Sequence, residues 1–117
     1  MGRKILIVDD LQADRANLER IVSEAGHQPL LAENGATALE RARRDKPDLI
    51  LMDINMPEVD GFAATRMLKA DESTRNIPVV LVSVKNQRAD MAWGQMLGAR
   101  GYITKPYSRE QILAQLA

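Results

Sequence analysis

Apolar residues fall along this chain in two alternating rhythms. Short unbroken runs, among them Ile5-Leu6-Ile7-Val8, Leu49-Ile50-Leu51-Met52 and Val79-Val80-Leu81-Val82, are separated by stretches where apolar positions recur every three or four residues. The runs read as strands buried on both faces, and the stretches between them as helices with one apolar stripe. Strand one is predicted over residues 4–9. A helix opens near Gln12 with Leu18, Ile21, Val22 and Ala25 inward, and Gly26 ends it. Strand two, residues 28–32, contains Pro29 and suits a sheet edge. Asn34 caps helix two, which turns Ala38, Leu39 and Ala42 inward and closes at Lys46-Pro47. Strand three runs into Asp53, and Pro57 forbids its continuation. Helix three turns Ala64, Met67 and Leu68 inward, and the polar residues 71–76 form a loop before strand four, residues 77–82. Ala89, Ala92, Trp93 and Met96 predict the inward stripe of helix four, stopped by Gly98. Strand five covers residues 100–104, and Ile112, Leu113 and Leu116 line the last helix.

Five strands alternating with five helices predict an α/β fold, a doubly wound parallel sheet covered on both faces. In such sheets ligands gather beyond the carboxyl ends of the strands, where the strand order reverses. The polar residues that end these strands are Asp9 and Asp10, Asp53, Ser83, and Lys105. If strands one and three are neighbours, about 4.8 Å apart, Asp9, Asp10 and Asp53 crowd together, with Ser83 and Lys105 arriving from the next two strands.

Composition narrows the function classes. At 117 residues the chain is one expected domain, residues 1–117, and with 45% hydrophobic residues it has enough apolar material for a core. Sixteen basic and sixteen acidic residues cancel, which argues against general affinity for nucleic acid or an anionic membrane. The absence of cysteine excludes a disulfide framework and thiolate chemistry. The start, Met1-Gly2-Arg3-Lys4, is followed by only four apolar residues, too few for a signal peptide, and no run approaches the ~20 residues of a membrane span. A cytoplasmic protein is expected. His27, the lone histidine, falls in a turn and reads as a solvated loop residue.

Three adjacent carboxylates repel unless a cation sits among them. With hard oxygen donors and no histidine or cysteine nearby, that cation is expected to be Mg²⁺ or Mn²⁺. Asp10, Asp53, a backbone carbonyl just past Asp53 (that of Asn55), water and a phosphoryl oxygen would fill its octahedron. Asp53 is then the candidate nucleophile, because a carboxylate can attack phosphorus and hold it as an acyl phosphate. Lys105 offers an ammonium and Ser83 a rotatable hydroxyl to the phosphoryl oxygens. A cis bond before Pro106 would aim Lys105 inward. Any one of these residues alone reads as a cap, a surface lysine or a strand-end serine. The five on one edge read as a site.

Asp9-Asp10, Asp53 within Met52-Asp53-Ile54-Asn55-Met56-Pro57, Ser83, and the run from Gly98 to Lys105-Pro106 together resemble the receiver domain of two-component response regulators. The resemblance covers essentially the whole chain and implies the CheY-like, flavodoxin-like sheet order 2-1-3-4-5. It implies that Asp53 accepts a phosphoryl group from a phosphohistidine on a sensor histidine kinase, with Mg²⁺ required. Asp10 and Asp53 would be direct ligands and Asp9 would act through water. It also implies a switch in which Ser83 moves toward the phosphoryl group and Tyr102 swings inward, altering a protein-binding face that includes Met91, Gln95, Tyr102 and Thr104. Val84 is bulkier than the alanine or glycine often found after the switch hydroxyl, and Lys85 and Asn55 flank the site.

Gly26-His27-Gln28, Ala32-Glu33-Asn34-Gly35, Phe62-Ala63-Ala64-Thr65-Arg66 and Ala92-Trp93-Gly94 resemble the PilH-type regulators of type IV pilus twitching motility. That resemblance implies a CheA-like, chemotaxis-type kinase as donor. No DNA-binding segment follows the last helix, so output is expected through a downstream protein target, or through competition for phosphoryl groups as a phosphate sink, from a monomer. A receiver cut from a longer regulator or hybrid kinase is the alternative, and an unphosphorylated interaction module is another. An aspartyl-phosphate phosphatase or mutase would need an acid at Asn55, and a flavin-binding domain would not place two acids after strand one. The expectation is a signalling phosphoacceptor rather than an enzyme acting on other substrates.

Overall fold

The computed structural model describes residues 2–117, which form five strands and five helices in strict alternation. They are β1 (Lys4–Val8), α1 (Gln12–Glu24), β2 (Gln28–Ala32), α2 (Gly35–Asp45), β3 (Leu49–Met52), α3 (Gly61–Ala70), β4 (Val79–Ser83), α4 (Arg88–Met96), β5 (Gly101–Thr104) and α5 (Arg109–Leu116). The strands pair in parallel in the order β2-β1-β3-β4-β5. The strand bearing Pro29 lies at an edge, as its missing N–H requires. β4 begins at Val79 rather than at Ile77, because Pro78 has no N–H to give to a ladder.

Alternation along the central strands sorts the core into two layers. Leu6, Val8, Ile50, Met52 and Leu81 face α2 and α3, packing on Ala38, Ala42, Ala64 and Leu68. Ile5, Ile7, Leu49, Leu51 and Val82 face α1 and α5, packing on Leu18, Ile21, Val22, Ile112 and Leu116. Burial on both faces explains why these strands read as unbroken apolar runs. The helix starts are fixed by side chains: Asn34 accepts from Thr37 N at 2.8 Å and Asp60 Oδ1 from Ala63 N at 2.8 Å. Ser108 and Gln111 cap each other's backbone reciprocally.

Two predicted faces are wrong by a fraction of a turn. Met67 is exposed, and α3 instead buries Gly61, Ala64, Thr65 and Leu68. In α4 the predicted stripe points to solvent: Ala89, Ala92, Trp93 and Met96 are all exposed, and Gly94 is the one buried residue of the helix. A Cβ at Gly94 would lie 2.8 Å from Leu81 Cδ1, so the helix approaches the sheet by its glycine. The apolar residues that periodicity assigned to the core are left outside.

Gly61 is the tightest junction in the fold. Its N–H donates to Ile54 O at 2.9 Å, and a Cβ there would collide with the carbonyl of Asp53 and lie 2.7 Å from Ile54 Cα. The start of α3 therefore sets the backbone that carries Asp53. Gly61→Ala is expected to destabilise the fold by about 1–3 kcal/mol through overpacking against backbone that cannot yield. Urea denaturation checks this, and an unchanged midpoint would remove the junction from the account.

Candidate functional site

The register of the central strands builds the site. Val8 pairs with Met52, and the ladder runs one step further: Asp53 N donates to Val8 O at 2.9 Å and Asp9 N to Ala32 O at 3.2 Å. The chains then leave the sheet, with Asp9 and Asp53 side by side at its carboxyl edge. Asp9 is 1% and Asp53 5% exposed, while Asp10 is open to solvent. Carboxylate oxygens of Asp9, Asp10 and Asp53 lie within 4.8 Å of one another, a set of hard donors suited to Mg²⁺. Asn55, the proposed carbonyl donor, is exposed in the loop two residues past Asp53.

Lys105 is delivered from the end of β5, with β4 between it and the strand of Asp53. Its N–H donates to Ser83 O at 2.8 Å, its bond to Pro106 is cis, and its side chain turns back over the acids. Lys105 Nζ stands 2.8 Å from Asp14 Oδ2, 3.0 Å from Asp9 Oδ2 and 3.5 Å from Asp53 Oδ1. Ser83 is fully buried, and its hydroxyl accepts from Lys85 N at 3.2 Å. The carbonyl of the same Lys85 accepts from the Tyr102 hydroxyl at 2.7 Å, so one residue joins the hydroxyl next to the site to the half-buried tyrosine on β5. Met91, Gln95 and Tyr102 line a common groove of about 230 Å³ between α4 and β5. Thr104 does not line that groove; it sits opposite Ser83 at the end of β5.

Electrostatics follow from burial and crowding. Burial, then the neighbouring Asp9 charge, push the Asp53 carboxyl up to about 6, against the pull of Lys105. Burial works against the charge on Lys105, but its hydrogen bonds to Asp14 and Asp9 win and hold it above the ordinary lysine range. Burial, helped by Asp90 and Asp53, pushes the Tyr102 hydroxyl up to about 12. His27 is a half-buried loop residue whose Nδ1 accepts from Arg3 N at 3.0 Å, far from this chemistry in the fold's connectivity.

Sequence reasoning missed Asp14, Arg15 and Tyr107. Arg15 clamps the carbonyl of Asp9 at 2.7 Å. Tyr107, held by Asn17 at 2.9 Å, borders a cleft of about 400 Å³ with Asp14, Val84, Lys105 and Pro106. An acid in the first turn of a helix reads from sequence as a dipole or cap residue, so Asp14 gave no distinctive signal. Only the packing of α1 against the sheet shows that it faces Lys105.

The raised Asp53 carboxyl carries a stability signature in metal-free protein. Between about pH 4 and pH 6 the folded state holds a proton that the unfolded chain has lost, so stability falls as pH rises through that window. Asp53→Asn is therefore expected to stabilise the metal-free protein at pH 7.5 by about 1–3 kcal/mol and to have little effect near pH 4. Urea titrations in chelator at the two pH values measure the difference; equal effects at both would contradict the burial argument.

Comparison with known proteins identifies the fold and the family. Residues 5–117 match the family described as response regulator receiver domain. The chain is 47% identical over 110 residues to Protein PilH of Pseudomonas aeruginosa, covering 94% of this chain and 91% of that protein. Its fold superposes on chemotaxis protein CheY4 of Vibrio cholerae with a TM-score of 0.93, at 27% identity, over 99% of this chain and 97% of that one. It superposes with a TM-score of 0.90, at 29% identity, on the receiver domain of sensor histidine kinase PA1611 from Pseudomonas aeruginosa, a structure with a magnesium ion coordinated in the active site cleft. That match covers 99% of this chain and 95% of that one. Buried paired acids, an ammonium over them and a flavodoxin-like sheet thus occur together in a chain that belongs to the response regulator receiver domain family.

Proposed function

We propose that residues 1–117 form one receiver domain that takes a phosphoryl group onto Asp53 from the phosphohistidine of a sensor histidine kinase. The observation that carries this reading is the placement of a nearly buried Asp53 among two further acids and the Lys105 ammonium at the sheet's carboxyl edge. In the transfer, an Asp53 oxygen attacks phosphorus. The O–P bond forms as the N–P bond breaks, and the electron pair leaves on the imidazole nitrogen. Asp10, Asp53 and the Asn55 carbonyl would hold Mg²⁺ or Mn²⁺ directly, with Asp9 acting through water. The bound cation supplies positive charge to the phosphoryl oxygens. Lys105 turns to those oxygens, and the Ser83 hydroxyl exchanges its contact with Lys85 N for a bond to them.

The signal then leaves through Lys85. Movement of Ser83 disturbs the residue that also holds the Tyr102 hydroxyl, and Tyr102 swings into the space vacated. A phosphoryl group carrying nearly two negative charges supplies the bias for such a two-state element. The groove of Met91, Gln95 and Tyr102, with Thr104 at the end of β5, is the surface whose shape changes for a downstream protein. The 47% identity to PilH supports a chemotaxis-type kinase as donor and twitching motility as the pathway, with a phosphate sink as the second output mode. The chain acts as a cytoplasmic monomer and catalyses only its own phosphorylation and dephosphorylation. No helix of the described residues is long and apolar enough to cross a membrane.

Incubation with acetyl phosphate is expected to give a single phosphoryl adduct by intact mass, dependent on Mg²⁺ and absent in chelator and in Asp53→Asn. An adduct that persists in the mutant at the wild-type rate would refute the acceptor assignment. Lys105→Ala is expected to accept some phosphoryl group without moving Tyr102. Ring resonances of Tyr102 that shift on phosphorylation in wild type should stay in place in the variant, and an identical shift in both would make Lys105 dispensable to the switch.

A further inference from the structure

We propose that Asp14 is a latch that competes with the phosphoryl group for Lys105, making it a positioning residue that sets how tightly the site holds a tetrahedral anion. The inference rests on the phosphoacceptor reading of Asp53. Lys105 Nζ is nearer to Asp14 Oδ2, at 2.8 Å, than to Asp9, at 3.0 Å, and 3.5 Å separates it from Asp53. Its short hydrogen bonds are made to Asp14 and Asp9, while Asp53 is the most distant of the three acids. The ammonium is thus committed to two acids other than the acceptor, and a group bound on Asp53 must draw it away from at least one.

Asp14 is the partner it can leave. Asp9 is buried, and its other oxygen accepts from Leu11 N at 3.0 Å, so an unpaired Asp9 would remain a desolvated charge. The Asp14 side chain is 39% exposed at the rim of the cleft that reaches the site, so water can take over its solvation when Lys105 departs. Its position in α1 supports this role. Asp14 is the third residue of the helix, where an acid ordinarily returns to cap the backbone, and the N-cap Leu11 makes no side-chain cap. The carboxylate is given to Lys105 instead. The side chain of α1 that faces the site therefore stabilises the unphosphorylated arrangement.

The consequence is a penalty on every state in which Lys105 serves an anion on Asp53. Removing the latch should strengthen those states, and only through Lys105. The test is the affinity for beryllofluoride, a phosphoryl mimic, in saturating Mg²⁺, measured by calorimetry on wild type, Asp14→Asn, Asp14→Glu, Lys105→Ala and the Asp14→Asn/Lys105→Ala double variant. Asp14→Asn is expected to bind about two- to fivefold more tightly, the range of a partly exposed ion pair. Asp14→Glu, which keeps the charge, should fall close to wild type. In the Lys105→Ala background the Asp14 substitution should change nothing, because no ammonium remains to be released. Unchanged or weaker binding by Asp14→Asn overturns the latch, since the ion pair would then aid the bound state or not matter. Tightening that persists in the double variant also overturns it, because plain repulsion between Asp14 and the anion needs no lysine. Failure of wild type to bind, despite measurable Mg²⁺ affinity, would instead strike the phosphoacceptor reading on which the latch depends.

Discussion

One ammonium answers more negative charge than it can neutralise at the carboxyl edge of this sheet, and the local structure is arranged around that imbalance. Asp9, Asp10 and Asp53 offer oxygens within 4.8 Å of one another, Asp14 closes from the rim, and Lys105 is the cation whose side chain reaches three of the four. Arg15 gives its guanidinium to the Asp9 carbonyl and, at 3.8 Å, to Glu33, and to none of the four clustered carboxylates. Burial keeps water from screening the remainder, which is why the Asp53 carboxyl rises to about 6 instead of ionising freely. A divalent cation among these acids would balance that charge, and the backbone must be stiff enough to keep the acids from drifting apart. That stiffness comes from the ladder, which continues through the N–H groups of Asp9 and Asp53, and from the Gly61 contact beneath the Asp53 carbonyl.

The same stiffness defines where movement is cheap. Asp53 is held by strand pairing and by the start of α3, whereas the Ser83 hydroxyl is tied by one 3.2 Å contact, from Lys85 N. Tyr102 is held at its hydroxyl by the carbonyl of that same residue. A displacement of Ser83 would therefore reach the tyrosine by a short path, two peptide bonds to Lys85 and then one hydrogen bond, through a loop with exposed side chains at Val84 and Lys85. The Tyr102 hydroxyl, pushed up to about 12, stays protonated throughout the physiological range and remains a donor to whichever carbonyl is in reach.

The strands and the residues that end them were legible because a buried parallel strand must be apolar along its whole length and then stop, whereas the strand order came from the family resemblance. Ile5 to Val8 and Leu49 to Met52 do so, and the acids that follow are placed by that rule alone. Asp14 and the faces of α3 and α4 were not legible, and the reason differs in each case. The function of Asp14 depends on which side of α1 meets the sheet at the level of Lys105, a tertiary fact that an acid in a first helical turn does not announce. For α4, the apolar spacing of Ala89, Ala92, Trp93 and Met96 is real, but spacing identifies an apolar stripe without saying what covers it. The signal that outweighs it is Gly94, whose missing side chain lets the helix backbone come against Leu81, Tyr102 and Phe62.

That inversion of α4 has a physical consequence for signalling. A helix that buries a glycine and exposes Met91, Trp93 and Met96 gains little from its own apolar side chains by staying where it is. Trp93 finds partial cover under the Arg66 guanidinium, 5.6 Å from its ring centre, a contact between exposed groups that contributes modestly. The helix is held mainly by its close approach at Gly94 and by the aromatic and aliphatic atoms lining that approach, of which Tyr102 is one. Rotation of Tyr102 would change the surface on which α4 rests as well as the groove between them. On the proposed switch, a small displacement at a crowded, stiff site would thereby reach a helix whose own apolar side chains do little to hold it, and those exposed side chains are what a partner would bury.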